Sequence, residues 1–392
     1  MHARRALSHV LLGALVIVSC FYFVFRFSAP TLWPPQVPKK TPDSRHIEPG
    51  IGFDLTALYG TVAISYANGT TLPIAKVDGS PKYRETWKRL SLESSKHIAP
   101  PYDDMGQLWD DLPRQKWRQL LKKLGLPASS DVATIAEMLS ALCAKAEAFT
   151  GTSVISAVAT IPHCVAVYNE DIIDAFEYIG VVMLRQWLFG HLVYESTTAY
   201  AGSGFGFCRN YTDPVRCRNE TYEHTSEYIM VLTYTKDALL VTLPATKGVF
   251  YLWEPMYRTR QSWDLGSNEL LRRSTKDDIS EYWALVRELI FNIFIVQHSS
   301  IPSKIFLTGE SARDPEFKEN VKEAIAFVSD GKPVPPIFDS DPLFVVARGA
   351  AEFAKRAPWT DKWWEIGHNR SAYFTQGSEE APPQHILNLH HE

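Results

Sequence analysis

Twice along this chain, short apolar runs alternate with helical stripes, and that repetition restricts the folds open to it. In the first half, Asp131–Phe149 places Ile135, Met138, Leu139, Leu142 and Ala146 on one helical face. A strand-like run, Ser153–Pro162, follows. A helix is then predicted over 170–180, with Ile172, Ile173, Phe176 and Ile179 as its apolar face. Leu192–Tyr200 reads as a strand passing through Glu195 into a small-residue helix start. In the second half, Tyr228–Tyr234 and Ala238–Leu243 read as a hairpin across Thr235-Lys236-Asp237, with Gly248–Trp253 as a third strand. A long helix over 278–297, a strand over 304–308 entering Gly309, and a helix over 315–327 complete the half. Strands and helices in this alternation predict an α/β protein.

The N-terminus sets the compartment. Val10–Phe25 is apolar apart from Gly13 and Ser19, with Arg4 and Arg5 before it and Arg26 after it. Residues 8–26 therefore read as a single transmembrane signal-anchor, with 1–7 a short cytosolic tail. Cleavage as a signal peptide near Ser28-Ala29 is the alternative. Residues 27–49 are a Pro-rich stem. The remainder is then lumenal or extracellular, on a membrane of the secretory pathway such as the endoplasmic reticulum or Golgi. Sequons at Asn68, Asn210, Asn219 and Asn369 agree with that exposure. Within a loop over 205–224, Cys208 and Cys217 flank a short polar stretch and suit a disulfide in an oxidising lumen; two unpaired thiols are the alternative. Cys143 and Cys164 read as buried small hydrophobes. With a net charge of −4 and no basic cluster, the 392-residue chain shows no sign of binding nucleic acid. A solvated tail, 358–392, ends in His390 and His391.

Six motifs in order carry a resemblance. They are Asp54-Leu55 between two strands; Ala157-Val158-Ala159-Thr160-Ile161-Pro162; Tyr194-Glu195-Ser196-Thr197-Thr198-Ala199; Leu265-Gly266-Ser267-Asn268-Glu269; Phe306 through Pro315; and Asp341-Pro342 followed by Ala347-Arg348-Gly349-Ala350-Ala351. Over most of 51–356 the chain resembles the nucleotide-binding domain of the seventy-kilodalton heat-shock chaperones. The resemblance implies a bilobed actin-like (ribonuclease-H-like) fold with two duplicated lobes, 50–204 and 225–346. A helix, 347–357, returns to the first lobe. It also implies ATP or ADP as the candidate cofactor, with Asp54, Thr56, Gly309, Ser311 and Arg313 near the nucleotide. Asp54 would face the water shell of a metal and Glu195 would orient an attacking water.

The departures fall on those same motifs. Thr56-Ala57-Leu58 replaces the Gly-Thr-Thr of the first phosphate loop, where glycine permits close approach. Thr233 through Leu240 replaces the second loop, with both carboxylates and all three glycines gone. Glu310 replaces a glycine of the adenosine motif, and the helical lid is reduced to little more than one helix between Gly266 and Gly309. Of the parts that phosphoryl transfer needs, only Asp54 and Glu195 remain as catalytic candidates. Structural roles, a turn residue and a helix-start residue, are favoured for both. The expected function is a membrane-anchored pseudo-ATPase that binds or scaffolds a protein partner, with weak or no ATP binding; the reading leans away from an enzyme, and no metal is assigned. The alternatives are ATP binding without hydrolysis, or a lumenal glycosyltransferase using Asp339-Ser340-Asp341. The placement of those two acids ahead of a helix suits capping better.

Overall fold

A computed structural model describes residues 49–184, 193–253, 258–295, 301–329 and 331–374, with backbone alone at 251–253 and 361–374. The predicted anchor, nearly all of the stem, and the end of the tail with His390 and His391 lie outside the described residues. Among the described residues no helix is long and apolar enough to cross a membrane.

The first lobe opens with a meander: β1 (Gly50–Leu55), β2 (Tyr59–Ser65) and β3 (Thr71–Asp78). Three helices follow: α1 (Pro81–Leu90), α2 (Met105–Lys123) and α3 (Ser130–Thr150). Each starts where a side chain accepts an orphan backbone N–H, at Ser80, Asp104 and Ser129. Then come β4 (Ser156–Ile161), α4 (Asn169–Ile179), β5 (Val182–Met183), β6 (Val193–Tyr194) and α5 (Glu195–Gly202). The segment predicted as a loop over 205–224 contains a helix, α6 (Pro214–Glu223), which Pro214 and the Asp213 cap initiate.

The second lobe has β7 (Glu227–Tyr234), β8 (Leu239–Thr242), β9 (Ala245–Lys247), β10 (Tyr251–Trp253) and β11 (Thr259–Ser262). It continues with α7 (Ser267–Leu271), α8 (Lys276–Ile295), β12 (Lys304–Thr308), α9 (Pro315–Val328), β13 (Ile337–Phe338) and α10 (Val345–Phe374). The third strand of this meander is β11, which pairs with β8. The predicted strand over 248–253 forms β10 instead, paired with β9 in a side hairpin. The predicted returning helix, 347–357, runs on through Phe374.

The molecule is an α/β protein with two mixed sheets of one pattern. The first runs β3-β2-β1-β4, with β5 and β6 both beyond β4. The second runs β11-β8-β7-β12-β13, with β9 and β10 added beside β7. In each, the first strand pairs antiparallel with the second and parallel with the fourth. Each lobe has its own apolar core. A third core joins α5 and α10 to Ile229, Val231 and Phe306 of the second sheet.

Two glycine contacts explain how α10 reaches the first lobe. A Cβ on Gly52 would collide with the backbone of Ala347 and Ala351, so the glycine lets α10 lie directly on β1. A Cβ on Gly349 would collide with the Thr198 carbonyl, so α5 and α10 cross with their backbones in contact.

Candidate functional site

The two carboxylate candidates meet where the lobes abut. Asp54 ends β1 and Glu195 opens α5; they are 2% and 6% exposed. Threonines line the space around them. Thr160 donates to Asp54 at 3.0 Å. Thr233 donates to Glu195 at 2.9 Å, and its oxygen lies 2.8 Å from that of Thr308. The duplicated sheets place these residues in matched positions. Asp54 is the register partner of Thr160 across β1 and β4, and Thr233 is the partner of Thr308 across β7 and β12. A hydroxyl thus occupies in the second lobe the place that a carboxylate holds in the first. Burial pushes the Asp54 carboxyl well above the usual carboxylate range. The neighbouring Glu195 charge adds to this, and the Thr160 hydrogen bond opposes it.

Both turns beside this cluster are closed by one device. In the β1–β2 turn, the Leu58 and Tyr59 amides donate to the Thr56 hydroxyl at 3.2 and 3.0 Å, and that hydroxyl donates to the Tyr59 carbonyl at 2.7 Å. The Thr56 carbonyl accepts from the Tyr83 hydroxyl, and the Leu58 carbonyl from the Gly79 amide. In the β7–β8 turn, the Ala238 amide donates to the Thr235 hydroxyl at 3.2 Å, and that hydroxyl donates to the Ala238 carbonyl at 2.9 Å. Serine and threonine favour turns through such bonds. Here the bonds take up the Leu58, Tyr59 and Ala238 amides.

The other elements named as candidates from the sequence are similarly engaged. The first amides of α7, at Ser267 and Asn268, donate to the carbonyls of Thr235 and Lys236. Gly309 has φ +99°, and a Cβ there would collide with the Tyr234 carbonyl. The Gly309 amide donates to Pro342, and the Ser311 amide to Tyr234. The Ser311 hydroxyl lies 2.8 Å from that of Ser267, and Arg313 donates to the Ser340 carbonyl. Glu310 crosses between lobes: its carboxylate is 2.6 Å from Lys76 of β3 and 3.8 Å from Lys236. Lys76 also lies over the ring of Tyr59, itself 1% exposed. Seven of the amides in these elements, at Leu58, Tyr59, Ala238, Ser267, Asn268, Gly309 and Ser311, are therefore bonded within the protein, and the Glu310 carboxylate is paired with Lys76. Among the described residues no group of three or more His, Cys, Asp or Glu side chains could hold a metal.

A cleft of about 580 Å³ lies elsewhere, walled by α1, α2, α3 and α4 of the first lobe. Neither Asp54 nor Glu195 lines it.

The remaining predicted residues separate by position. Cys208 and Cys217 are joined in a disulfide, with Cα atoms 5.0 Å apart, whereas Cys143 and Cys164 are free and buried. Asn68, Asn210 and Asn219 are exposed, in the β2–β3 turn, before α6 and on α6; Asn369 lies on α10, where side chains are outside the described set. Asp339 and Asp341 are held apart by separate partners, Lys318 at 2.6 Å and Arg348 at 3.1 Å. Sequence reasoning missed Thr160, Thr233 and Thr308 as members of the cluster. Their signal was a threonine inside each of three otherwise apolar strands. Compared with known protein families and with curated proteins, the chain matches none.

Proposed function

We propose that this chain is a membrane-anchored, lumenal scaffold built on an actin-like fold of the heat-shock nucleotide-binding type, that it does not hydrolyse ATP, and that it acts by binding a protein partner. The duplicated sheet order and the crossing of α5 and α10 between lobes support the fold assignment. One observation carries the functional reading: Thr56 accepts the Leu58 and Tyr59 amides of its own turn, and Thr235 accepts the Ala238 amide of its turn. Phosphoryl transfer rests on positioning and charge stabilisation by a cradle of N–H groups, a metal and an oriented water. The Asp54–Glu195 pair, sealed among threonines, supplies none of these.

The test is thermal denaturation of the purified full chain with Mg·ATP, Mg·ADP and sugar nucleotides. A ligand present at a hundred times its Kd adds about 2.7 kcal/mol to stability, enough to move the melting temperature by several degrees. No shift is expected with any of the three. A shift with ATP or ADP overturns the closed-site reading, and hydrolysis alongside it restores an ATPase. A shift with a sugar nucleotide alone favours a transferase.

A further inference from the structure

Helix α2 is built inside out. Its only buried residues are Asp111 and Arg118. Its inward face is polar and ion-paired: Arg118 bridges Asp171 and Asp174 at 2.9 and 2.7 Å, Lys122 meets Asp174 at 2.7 Å, and Arg114 pairs with Asp111 and Glu170. The outward face is apolar. Trp109, Trp117, Leu120 and Leu124 follow helical spacing along one stripe opposite Asp111. Each is between 45% and 64% exposed, as is Met105 at the start of the helix. An ordinary surface helix has the reverse polarity, and an exposed apolar patch of this kind marks an interaction surface.

We infer that the outward face of α2 docks into the lipid interface of the membrane that carries the chain, with the helix parallel to the bilayer surface. This rests on the reading of residues 8–26 as an anchor. Three observations select lipid as the occupant. The stripe runs along a single helix, with Trp117 at the rim of the cleft between α1, α2, α3 and α4, and Trp109, Leu120 and Leu124 outside that cleft, which suits a fluid surface. Two of its residues are tryptophans, the side chain enriched where bilayer meets water, and Lys116 and Lys123 edge it on one side with Asp110 on the other. The tether is also short: residues 27–49 separate the apolar run from β1, and even a fully extended Pro-rich segment of that length spans only about 70 Å. A charged, amphipathic helix too polar to span is the type that lies in the interface.

The test uses the full chain, with Cys20→Ser, reconstituted into phosphatidylcholine vesicles with and without phosphatidylserine. An environment-sensitive fluorophore is placed at Leu120→Cys, or at Lys276→Cys on the exposed start of α8 as a control. The Leu120 probe is expected to be blue-shifted and quenched by brominated acyl chains, and the Lys276 probe is not. Trp109→Glu with Trp117→Glu is expected to abolish the quenching at Leu120. Water-like emission at Leu120 overturns the proposal. So does equal quenching at both probes, or a blue shift insensitive to brominated lipid, which means that a second copy or another part of the chain covers the face. Release of the chain by carbonate sinks the anchor reading separately, and the two probes still decide the face.

Discussion

Asp54 and Glu352 are both largely buried carboxyls whose surroundings move them in opposite directions. For Asp54, burial and the Glu195 charge hold the folded value well above the ordinary one. The unfolded chain releases this proton near pH 4. From there up to the folded value, the fold keeps a proton that the unfolded chain has lost, so stability declines as pH rises through that window and levels off above it. Asp54→Asn keeps an acceptor for Thr160 and removes the titration. It should raise stability at pH 8, and urea denaturation at pH 5 and pH 8 checks this; a variant less stable than the parent at pH 8 defeats the argument. Glu352, on α10, bonds Ser65, Thr71, Lys355 and Arg356. Burial works to raise it, but Arg356 and the hydrogen bonds outweigh that and hold it down to about 2. Its contribution is complete above the unfolded value, near 4.5, and is lost as pH falls from there through 2. Glu352→Gln should therefore cost roughly 2 kcal/mol at pH 7 and flatten the acid limb of the stability profile, measured by the same denaturation. An unchanged acid limb refutes it.

The hairpin turns and the helix crossing are where single substitutions act on whole elements. Thr56→Val or Thr235→Val leaves turn amides with no acceptor, at a cost of about 1–2 kcal/mol each. Gly349→Ala sets a methyl against the Thr198 carbonyl of α5, a backbone clash that rotamer changes cannot relieve. It should cost more than about 3 kcal/mol, and a soluble variant with parental urea midpoint contradicts the packing. These contacts also show what the sequence could convey. Strands β1, β4, β7 and β12 were legible because they are short, mostly apolar runs, each broken by an acid or a threonine. The helices α3, α4, α8 and α9 were legible from their stripes. Strand β11 was not: Thr259-Arg260-Gln261-Ser262 has no apolar alternation, and only its pairing with β8 makes it a strand. Gly52 and Gly349 could be read as motif residues, but their partners, α10 and α5, are set by tertiary contact. Likewise, Asp54 and Glu195 stood out as acids in apolar settings. The threonines that close the site are marked only by interrupting apolar strands, and their convergence on the two acids follows from the sheet register and tertiary contact.

At the scale of the molecule, the question is what the protein's own side chains contribute to holding the two lobes together. Besides the Thr233–Glu195 hydrogen bond, side chains bridge them at several further points among the described residues. Lys76 of β3 meets Glu310 after β12, and Arg84 of α1 lies 3.7 Å from Asp237 in the β7–β8 turn. Gln261 and Trp263 donate to the carbonyl and hydroxyl of Ser91, at 2.7 and 3.0 Å. The Glu310 carboxylate thus serves as one half of an interlobe latch. Part-exposed ion pairs of this type contribute at most about 1 kcal/mol each, so their effect should be local and not global. The Lys76→Ala, Arg84→Ala double variant should melt within a few degrees of the parent, because the separate lobe cores and the α5–α10 crossing remain. Hydrogen exchange should nevertheless quicken along β3 and across residues 235–238, where the lobes part, and leave β12 and α8 unchanged. Faster exchange spread evenly over both lobes would mean that the pairs support the fold as a whole. Unchanged exchange at β3 would leave Ser91 and the helix crossing as sufficient to keep the lobes shut.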